Sequence, residues 1–407
     1  MSEQKPKTTR RRFLQGTAAA ATFSIVPRHV LGGPGQTPPS ETFGAALIGC
    51  GGRGNGTFGA MSRGLNVRQL ARCDVKFVGR ADNKKIYTDF RRVLDRQDID
   101  LIAIATPPHW HALISIAAAE AGKDVLCEKP MTRFIAEGRA VVEAFNRYNR
   151  VFQIGTFGRF GRPHMETHKI MASGLLTDCK AVHIKRGGLK VRQWSGSVTE
   201  RVQKVPKNLD WDMYCGPAPM KPYVRRRTGG THRGYWDYEG GGLSDMGQHH
   251  FDPVQWTFAK DNTSPVQIEA HAPPAHPECC GMWGWVELKY ADGLTFVMDS
   301  GEWGQRYNRQ PSREVSLSDL SKADQEKIKA LPDPDPLVSF GDAVKNRKQT
   351  GGHPEAAHRA STLLHLANVA IRVGRKIQYD PVKEQIVGDE EANRLINPPM
   401  RAPWHLS

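Results

Sequence analysis

The sequence predicts an α/β protein in which a doubly wound parallel sheet precedes an α+β domain with a large, mostly antiparallel open sheet. The chain has 407 residues, which is too long for one ordinary α/β core and suits two domains. Up to about residue 155, short apolar runs alternate with helical segments, as is typical of a parallel sheet. Beyond that point, stretches rich in β-forming residues are separated by long loops containing Gly and Pro.

The elements of the first domain, predicted over residues 41–155, follow in order along the chain. The predicted strands are Phe43–Ile48, Val67–Cys73, Leu101–Ala105, Val125–Cys127 and Val151–Ile154. The predicted helices are Trp110–Ala121, which is closed by Gly122, and Thr132–Asn149.

The second domain is predicted over residues 156–380. Its predicted strands are Ala181–Lys185, Val266–Ala270, Gly284–Tyr290 and Leu294–Met298, and a strong helix is predicted from Pro354 to Gly374. Residues 381–407 are expected to form a C-terminal tail.

Composition excludes several classes of protein. The chain is 39% hydrophobic and 24% charged, as is normal for a soluble globular protein. No apolar run reaches the roughly 18 residues of a membrane span. The formal net charge is +15, but the basic residues are scattered and no aromatic–basic module indicates nucleic-acid binding. The seven cysteines show no metal-ligand spacing, so no metal site is predicted.

The first forty residues are predicted to be a targeting segment and linker. Thr9-Arg10-Arg11-Arg12-Phe13-Leu14-Gln15 matches the twin-arginine export pattern, and a weakly apolar stretch and a Gly/Pro-rich linker follow it. We therefore expect export to the periplasm in the folded state. A signal retained as a membrane anchor is an alternative, because no clean cleavage site is visible; a disordered basic tail is another.

A dinucleotide site is predicted where the first strand ends. Gly49-x-Gly51-x-x-Gly54 follows that strand and opens a helix, so its glycines allow a tight turn, close approach of a pyrophosphate, and close helix–strand packing. Asp74 ends the second strand, where a carboxylate accepts hydrogen bonds from ribose hydroxyls. Asp74 would repel a 2′-phosphate, which favours NAD over NADP, although Lys76 and Arg80 weaken that preference.

Three further motifs identify a family. They are Ala105-Thr106-Pro107-Pro108-His109-Trp110-His111, Cys127-Glu128-Lys129-Pro130, and Gly240-Gly241-Gly242-Leu243-Ser244-Asp245-Met246-Gly247-Gln248-His249. Together with the glycine turn they resemble the Gfo/Idh/MocA oxidoreductases, which have a Rossmann domain followed by an α+β domain. The resemblance covers roughly residues 43 to 380.

The resemblance implies a cofactor and a set of site residues. By this resemblance, Lys129 lies beside the nicotinamide and the substrate hydroxyl, Asp245 and His249 form a catalytic pair, and His111 lies near the cofactor. The residues expected to bind NAD are Gly49, Gly51, Gly52, Arg53, Gly54, Asp74, Thr106, Pro107, His111, Glu128 and Lys129. The family also implies a sugar or polyol substrate and a homodimer or homotetramer. One departure is that only twelve residues separate Asp74 from Tyr87, where the family usually has a full helix flanking the adenosine pocket.

The residues fit the oxidation of a secondary alcohol, which needs a base near neutral pH and a positive group beside the developing alkoxide. His249 is the natural base. Asp245, four residues earlier, would share a helix face with it and could orient the imidazole or bind a substrate hydroxyl. Lys129, at the carboxyl end of a buried strand, could stabilise the alkoxide or hold the nicotinamide side.

Each residue has a purely structural alternative. Lys129 could be a solvated loop lysine, His249 a core or helix-terminal histidine, Asp245 an N-cap after the glycines, and His111 a packing residue at a helix start. Tyr235 and Trp236 could wall a sugar site or pack in the core. The basic run Arg225, Arg226, Arg227 and Arg233 could be solvated, contact another subunit, or bind an acidic sugar.

Three functions remain open. The first is a dehydrogenase or transhydrogenase with a tightly held cofactor, since no free nicotinamide pool is expected outside the cytoplasm. The second is a glycosidase that oxidises its sugar transiently; in such relatives the lysine of the Glu-Lys-Pro motif is replaced, so Lys129 argues against it. The third is a non-catalytic binding protein on the same fold, which the intact Lys129, Asp245 and His249 disfavour.

Overall fold

The computed structural model describes residues 42–80, 85–175, 179–185, 196–312, 315 and 317–406. The predicted twin-arginine segment and linker, residues 1–40, lie outside the described residues. Residues 44–407 form one folded unit. Within the described ranges, no helix combines the length and apolar character needed to cross a membrane.

The first sheet has six strands in the order β3-β2-β1-β4-β5-β6. They are β1 Thr42–Ile48, β2 Asn66–Cys73, β3 Ile86–Tyr87, β4 Leu101–Ile104, β5 Asp124–Cys127 and β6 Phe152–Ile154. This is the strand order of the Rossmann fold, and the β1–β4, β4–β5, β5–β6 and β2–β3 pairs are parallel. Strands β4 and β5 are buried along their whole length, which explains why they are continuous apolar runs.

The helices of this half are α1 Gly54–Met61, α2 Arg91–Leu94, α3 His111–Glu120 and α4 Ile135–Tyr148. Helix α4 starts three residues later than predicted, because Glu137 reaches back to the backbone N–H groups of Arg133 and Phe134 and caps the helix there. It ends at Asn149, which is in the left-handed conformation.

The connection between β2 and β3 is unusually short. Among its described residues it contains a single 3₁₀ turn, Val75–Phe77, which Asp74 caps by accepting a hydrogen bond from the Lys76 backbone. Parallel neighbours are usually joined by a crossover helix that covers the sheet. The described part of this connection has none, which agrees with the short Asp74–Tyr87 spacing.

The second sheet also has six strands, in the order β12-β11-β8-β9-β10-β7. They are β7 Ala181–Ile184, β8 Gln267–His271, β9 Trp285–Lys289, β10 Thr295–Asp299, β11 Ile377–Asp380 and β12 Gln385–Ile386. All its recorded pairs are antiparallel except β10–β7, which is parallel. The predicted fold class is therefore confirmed.

The helices of the second half are α5 Arg162–Ala172, α6 Trp211–Cys215, α7 Gly241–Thr257, α8 Lys322–Ala330, α9 Phe340–Asn346, α10 Pro354–Val373 and α11 Glu390–Ile396. Helix α10 is buried over nearly its whole length because it packs against α7 and β8 on one side and against α4 and β6 of the first half on the other. It approaches α4 closely at Gly138, where a Cβ atom would lie 2.3 Å from His358 Nδ1.

The structure corrects the expectation that residues 381–407 form a C-terminal tail. Residues 381–407 contain strand β12 and helix α11, and Ala392 and Ile396 belong to the core of the second half. Further on, Trp404 packs edge-on against Trp110 of the first half, with ring centroids 4.7 Å apart. No clear pattern in the sequence predicts this, because the buried apolar positions are widely spaced among polar ones.

Candidate active site

One large cavity, of about 570 Å³, lies at the carboxyl ends of β1, β2, β4 and β5. Open α/β sheets bind ligands in this place. The first half contributes the predicted Gly49, Gly51, Gly52, Arg53, Asp74, Thr106, Pro107, Glu128 and Lys129. The opposite wall comes from the second half and consists of Met213, Tyr214, Gly229, Gly230, His232, Arg233, Glu239 and His249.

The glycine turn leaves its backbone open toward the cavity. Gly49 has φ +89°, and a Cβ there would lie 2.5 Å from the Thr106 backbone nitrogen, so only glycine fits. A Cβ at Gly51 or Gly52 would meet nothing within 4 Å. Gly54 does not line the cavity; its Cβ would strike the Gly49 carbonyl oxygen, so it serves the close packing of α1.

Asp74 lies at the end of β2 and binds the glycine turn directly. One carboxylate oxygen accepts a hydrogen bond of 2.7 Å from the Cys50 backbone N–H, and the other accepts one of 2.9 Å from Lys76. Each carboxylate oxygen has a second lone pair, so both can also accept hydroxyl donors from a ribose.

The loop after β4 is held in place by His111, which does not itself line the cavity. Its ring nitrogens lie 2.8 Å from the Thr106 carbonyl oxygen and 2.7 Å from the Pro130 carbonyl oxygen. Burial lowers the pKa of His111, although the two carbonyl contacts oppose this. The ring thus joins the Thr106 loop to the Lys129 loop.

The side-chain hydroxyl of Thr106 also indicates a ligand site. Its hydroxyl oxygen is buried, yet it has no hydrogen-bond partner among the described residues, and the residue lines the cavity. Buried hydroxyls normally form a hydrogen bond. A ligand in the cavity would supply one.

Glu128 organises the middle of the site. One carboxylate oxygen accepts hydrogen bonds from Arg53 Nε at 2.7 Å and from the Thr57 hydroxyl at 2.9 Å. This contact links the start of α1 to the loop after β5. Arg53 remains more than half exposed, at 57%, and is available to an anionic group above the glycine turn.

Lys129 and Asp245 form a buried ion pair between the two halves. Lys129 Nζ donates to Asp245 Oδ1 at 2.5 Å and to the Asp245 carbonyl oxygen at 2.8 Å. Asp245 lies behind Lys129, since it is 5% exposed and does not line the cavity. The interpretation of Lys129 as a solvated lysine is therefore wrong. Asp245 is not an N-cap either, because α7 begins at Gly241 without a side-chain cap.

His249 lies one turn after Asp245 on α7 and lines the cavity. Burial lowers the pKa of His249, the charge of Lys129 lowers it further, and Glu128 and Asp245 oppose the shift. In the part of the chain that the structure describes, no hydrogen bond joins Asp245 to His249. Asp245 therefore orients Lys129 and not the imidazole.

Sequence reasoning missed a second polar group on the cavity wall. Arg233 Nε lies 2.8 Å from Asp245 Oδ1 and 3.7 Å from Glu239 Oε2, and His232 Nε2 lies 3.3 Å from the same Glu239 oxygen. Arg233 belonged to the basic run, but no spacing distinguished it from its neighbours. Its position depends on a loop more than a hundred residues from Lys129.

For two sets of neighbouring residues the structure favours one of the open alternatives. Tyr235 is fully buried in an aromatic cluster, and Trp236 packs against Arg372, so neither walls the large cavity. Arg227 is not solvated: its side chain is 7% exposed and pairs with Asp237 and Glu278. Its burial reflects the aromatic rings of Tyr235 and Tyr238 beneath it.

The residues present fit a nicotinamide dinucleotide. The open glycine turn, the ribose-facing Asp74, the unpartnered Thr106 hydroxyl and the Lys129 ammonium line one cavity. The match to family models decides the assignment. Residues 43–156 match the oxidoreductase family's NAD-binding Rossmann fold, and residues 160–406, more than half of the chain, match its C-terminal alpha/beta domain.

The chain belongs to the Gfo/Idh/MocA family of oxidoreductases. Among individual members of this family, similarity is partial. Residues of the chain are 46% identical to levoglucosan dehydrogenase of Pseudarthrobacter phenanthrenivorans over 67 residues, which is 16% of this chain and 17% of that one. They are 29% identical to inositol 2-dehydrogenase of Salmonella paratyphi B over 126 residues, or 29% and 37% of the two chains. The chain thus matches less than two-fifths of either relative's length.

Solved structures of the family share the fold. The WlbA dehydrogenase of Chromobacterium violaceum, in complex with NADH and UDP-GlcNAcA, superimposes with a TM-score of 0.55 at 16% identity, covering 84% of this chain and 96% of that one. The myo-inositol 2-dehydrogenase of Lactobacillus plantarum gives a TM-score of 0.51 at 17% identity, covering 83% and 100%. At these identities the likeness concerns the fold alone.

Proposed function

We propose that this family member transfers a hydride between NAD and a secondary hydroxyl or keto carbon of a sugar, cyclitol or related polyol. The observation that carries the proposal is that the Lys129–Asp245 pair and His249 meet at the cavity that contains the glycine turn. The matched relatives support the substrate class, since their names refer to inositol and levoglucosan.

The chain's own groups divide the work around the substrate. Gly51, Gly52 and Arg53 would hold the pyrophosphate, Asp74 the adenosine ribose, and Thr106 and Glu128 the nicotinamide side. The bound nicotinamide supplies the hydride acceptor. His249 accepts the hydroxyl proton, which its lowered pKa permits because the ring is neutral near pH 7. The Lys129 ammonium stabilises the negative charge that develops on the substrate oxygen.

Asp245 and Arg233 position the ammonium group of Lys129. Asp245 fixes the ammonium by two contacts, and Arg233 binds the same carboxylate oxygen. Lys129 and Arg233 line the cavity, as does Glu239, whereas Asp245 lies behind Lys129 and is 5% exposed. The arrangement favours a substrate oxygen that gains negative charge.

The proposal extends to location and assembly. We propose that the protein is exported in the folded state with NAD bound, which the Arg10-Arg11-Arg12-Phe13-Leu14 pattern supports. We also propose a homodimer or homotetramer, as the family resemblance implies. Light scattering of the purified protein and fractionation of cells that express the full chain test these two points.

The decisive experiment begins with mass spectrometry of small molecules released from the denatured protein. Bound NAD or NADH is the expected result. The purified protein is then mixed with myo-inositol, levoglucosan and simple aldoses, and NADH fluorescence is followed. Release of an aglycone from a glycoside without net NADH formation would support the glycosidase alternative. A protein that neither contains nor binds the dinucleotide would refute the proposal.

A further inference from the structure

A short segment of the second half crosses the adenosine end of the cavity. Residues 209–217, here called the strap, contain helix α6. Its Met213 and Tyr214 line the cavity together with Val75, Lys76 and Thr88, which neighbour Asp74 and β3. The strap therefore covers the flank on which the described residues of the short β2–β3 connection form no crossover helix.

The strap is joined to the first half by backbone-directed hydrogen bonds. The Asp210 N–H donates to the Val75 carbonyl oxygen at 2.9 Å, and Trp110 Nε1 donates to the Met213 carbonyl oxygen at 3.0 Å. His109 Nε2 lies 2.8 Å from the Tyr214 carbonyl oxygen. At Gly216, φ is +53° and a Cβ would lie 2.2 Å from the Trp110 ring, so the strap rests directly on that ring.

The C-terminal segment locks the strap from outside. Arg401 pairs with Asp212 at 2.7 Å and donates to the carbonyl oxygens of Asp212 at 2.9 Å and Gly216 at 2.8 Å. The Arg401 N–H also donates to the Pro217 carbonyl oxygen at 2.9 Å. Trp404 packs against Trp110 and Phe90, and both of these rings line the cavity.

These contacts bear on how an adenine nucleotide enters and leaves. A ligand whose ribose is held by Asp74 would place its base beside Val75, Trp110 and the strap, whose residues line this end of the cavity. The strap and the first half close over that place from opposite sides. The ring of contacts through Arg401 and Trp404 must loosen before the strap can move away.

We propose that the strap, locked by Arg401, is the closure of the adenosine subsite, and that its opening limits the rate of dinucleotide exchange. This inference rests on the proposed function, because it takes the cavity to hold NAD. Arg401 is a positioning residue, since it does not line the cavity and acts through the strap. The ligand class that the subsite takes is an adenosine phosphate.

The test measures NADH release from the full-length protein. Protein loaded with NADH is mixed with excess NAD in a stopped-flow instrument, and the loss of bound-NADH fluorescence gives the release rate. Arg401→Gln and Asp212→Asn break the lock from its two sides, and Asp212 is 73% exposed, so its variant is expected to fold. Arg401→Gln should accelerate release about tenfold, because it disrupts three side-chain hydrogen bonds to the strap, and Asp212→Asn about threefold, because it loses one solvent-exposed ion pair.

The matched control is Arg394→Gln, which changes an arginine of the same C-terminal region that is 79% exposed and has a 3.9 Å contact with Glu390 as its one ion pair among the described residues. Its release rate should stay within about twofold of wild type, as a surface change predicts. The affinity for AMP should fall in the two lock variants while that for nicotinamide mononucleotide is unchanged. Equal losses for both mononucleotides, or normal release in a folded lock variant, would overturn the proposal.

The proposal for the strap and the proposed function are refuted by different results. A wild-type protein that binds NADH but oxidises no polyol would refute the substrate class, and the release rates would still decide the role of the strap. A wild-type protein that binds neither NADH nor AMP would refute both.

Discussion

At the residue scale, two cations share one carboxylate oxygen. Burial by itself would raise the pKa of Asp245, but the charges of Lys129 and Arg233 outweigh it, and the pKa is lowered. Asp245 therefore stays ionised throughout the neutral range. A carboxylate held in this state can anchor an ammonium at a fixed point of the cavity.

Asp245→Asn is predicted to lower the turnover number about 100-fold, because the ammonium of Lys129 loses its anchor and faces Arg233 without the shared anion. NADH affinity should change little, since Asp245 does not line the cavity. Single-turnover kinetics and NADH titration separate the two effects. Asp292→Asn, at an exposed aspartate outside the cavity, is the control. Normal turnover in Asp245→Asn would remove this residue from the mechanism.

The pH dependence of oxidation follows from His249. Because its folded pKa is lowered from 6.5, the base stays neutral below that pH, and kcat/KM should fall only as pH drops through the lowered value. The groups that face this imidazole are Lys129, Glu128, Asp245 and Arg53. A pH profile with its acid limb above 6.5 would contradict the assignment of His249 as the base.

The charge of Lys129 contributes to that shift, so Lys129→Met should raise the pKa of His249. Because Lys129→Met is expected to abolish turnover, the measurement is an NMR titration of the imidazole, which needs no activity. An unchanged titration midpoint would show that the two side chains are not electrostatically coupled. Lys76→Met, at the far end of the cavity, provides the control.

At this scale the sequence singled out three residues that the structure brings together, but it did not predict their partners. Lys129, Asp245 and His249 stood out because short motifs contain them. That Asp245 contacts Lys129 and not His249 depends on the packing of α7 against the loop after β5, which motif spacing does not contain. Arg233 and Glu239 were not predicted for the same reason.

At the element scale, a charged cluster joins α4, α10 and the turn before β12. Arg139 pairs with Glu355 and Glu384, and Glu384 also contacts His358 and Arg359. Burial would raise the pKa of Glu384, but hydrogen bonds from His358 and Arg139 lower it to about 2. The carboxylate therefore stabilises the fold above its unfolded pKa, and this contribution is lost as pH falls toward 2.

Glu384→Gln is predicted to destabilise the protein by about 2 kcal/mol near pH 7, because Arg139 and Arg359 each lose one of two carboxylate partners and the charge-assisted contact to His358 is weakened. The melting temperature should fall by several degrees. The difference from wild type should shrink as pH is lowered through the acid range, since the wild-type carboxylate then becomes protonated. Calorimetry at several pH values tests this, and a deficit independent of pH would contradict it. Glu391→Gln, at a 71% exposed glutamate, is the control.

Elements with continuous apolar runs were predicted well, as β4 and β5 show, because burial on both faces leaves a clear pattern. Short elements were missed. Strand β3 has only two residues, and α6 spans five between loops containing Pro and Gly, so neither has room for a period to show. Their tertiary neighbours hold them in place.

At the scale of the whole molecule, residues of both halves line the cavity. Ligand that binds only the folded state should stabilise the two halves together. NADH at about 100 times its dissociation constant is predicted to add about 2.7 kcal/mol to the free energy of unfolding. A single calorimetric transition that moves upward with NADH is the expected result. Two transitions, of which only one responds, would contradict it.

Asp74→Ala is predicted to reduce this thermal shift for NADH and to narrow the preference over NADPH. The carboxylate is lost to the ribose, and the Cys50 and Lys76 backbone groups lose their acceptor. Parallel titrations with NADH and NADPH measure the preference. An unchanged ratio would refute the role given to Asp74, and Asp89→Ala, which pairs with Arg91 outside the cavity, is the comparison.

The order and type of the two halves were predictable because each has its own hydrophobic period. Their mutual arrangement was not. The cavity wall formed by Met213, Arg233 and Glu239 and the lock formed by Arg401 join residues far apart in the chain, and no local pattern records such distances.

Helix α10 is buried against elements of both halves and so joins them directly. Gly138 and His358 fit so closely there that neither surface could face water or a foreign partner without a void. Grafting the second half onto another dinucleotide-binding domain would therefore require a recipient helix that carries glycine at the position of Gly138.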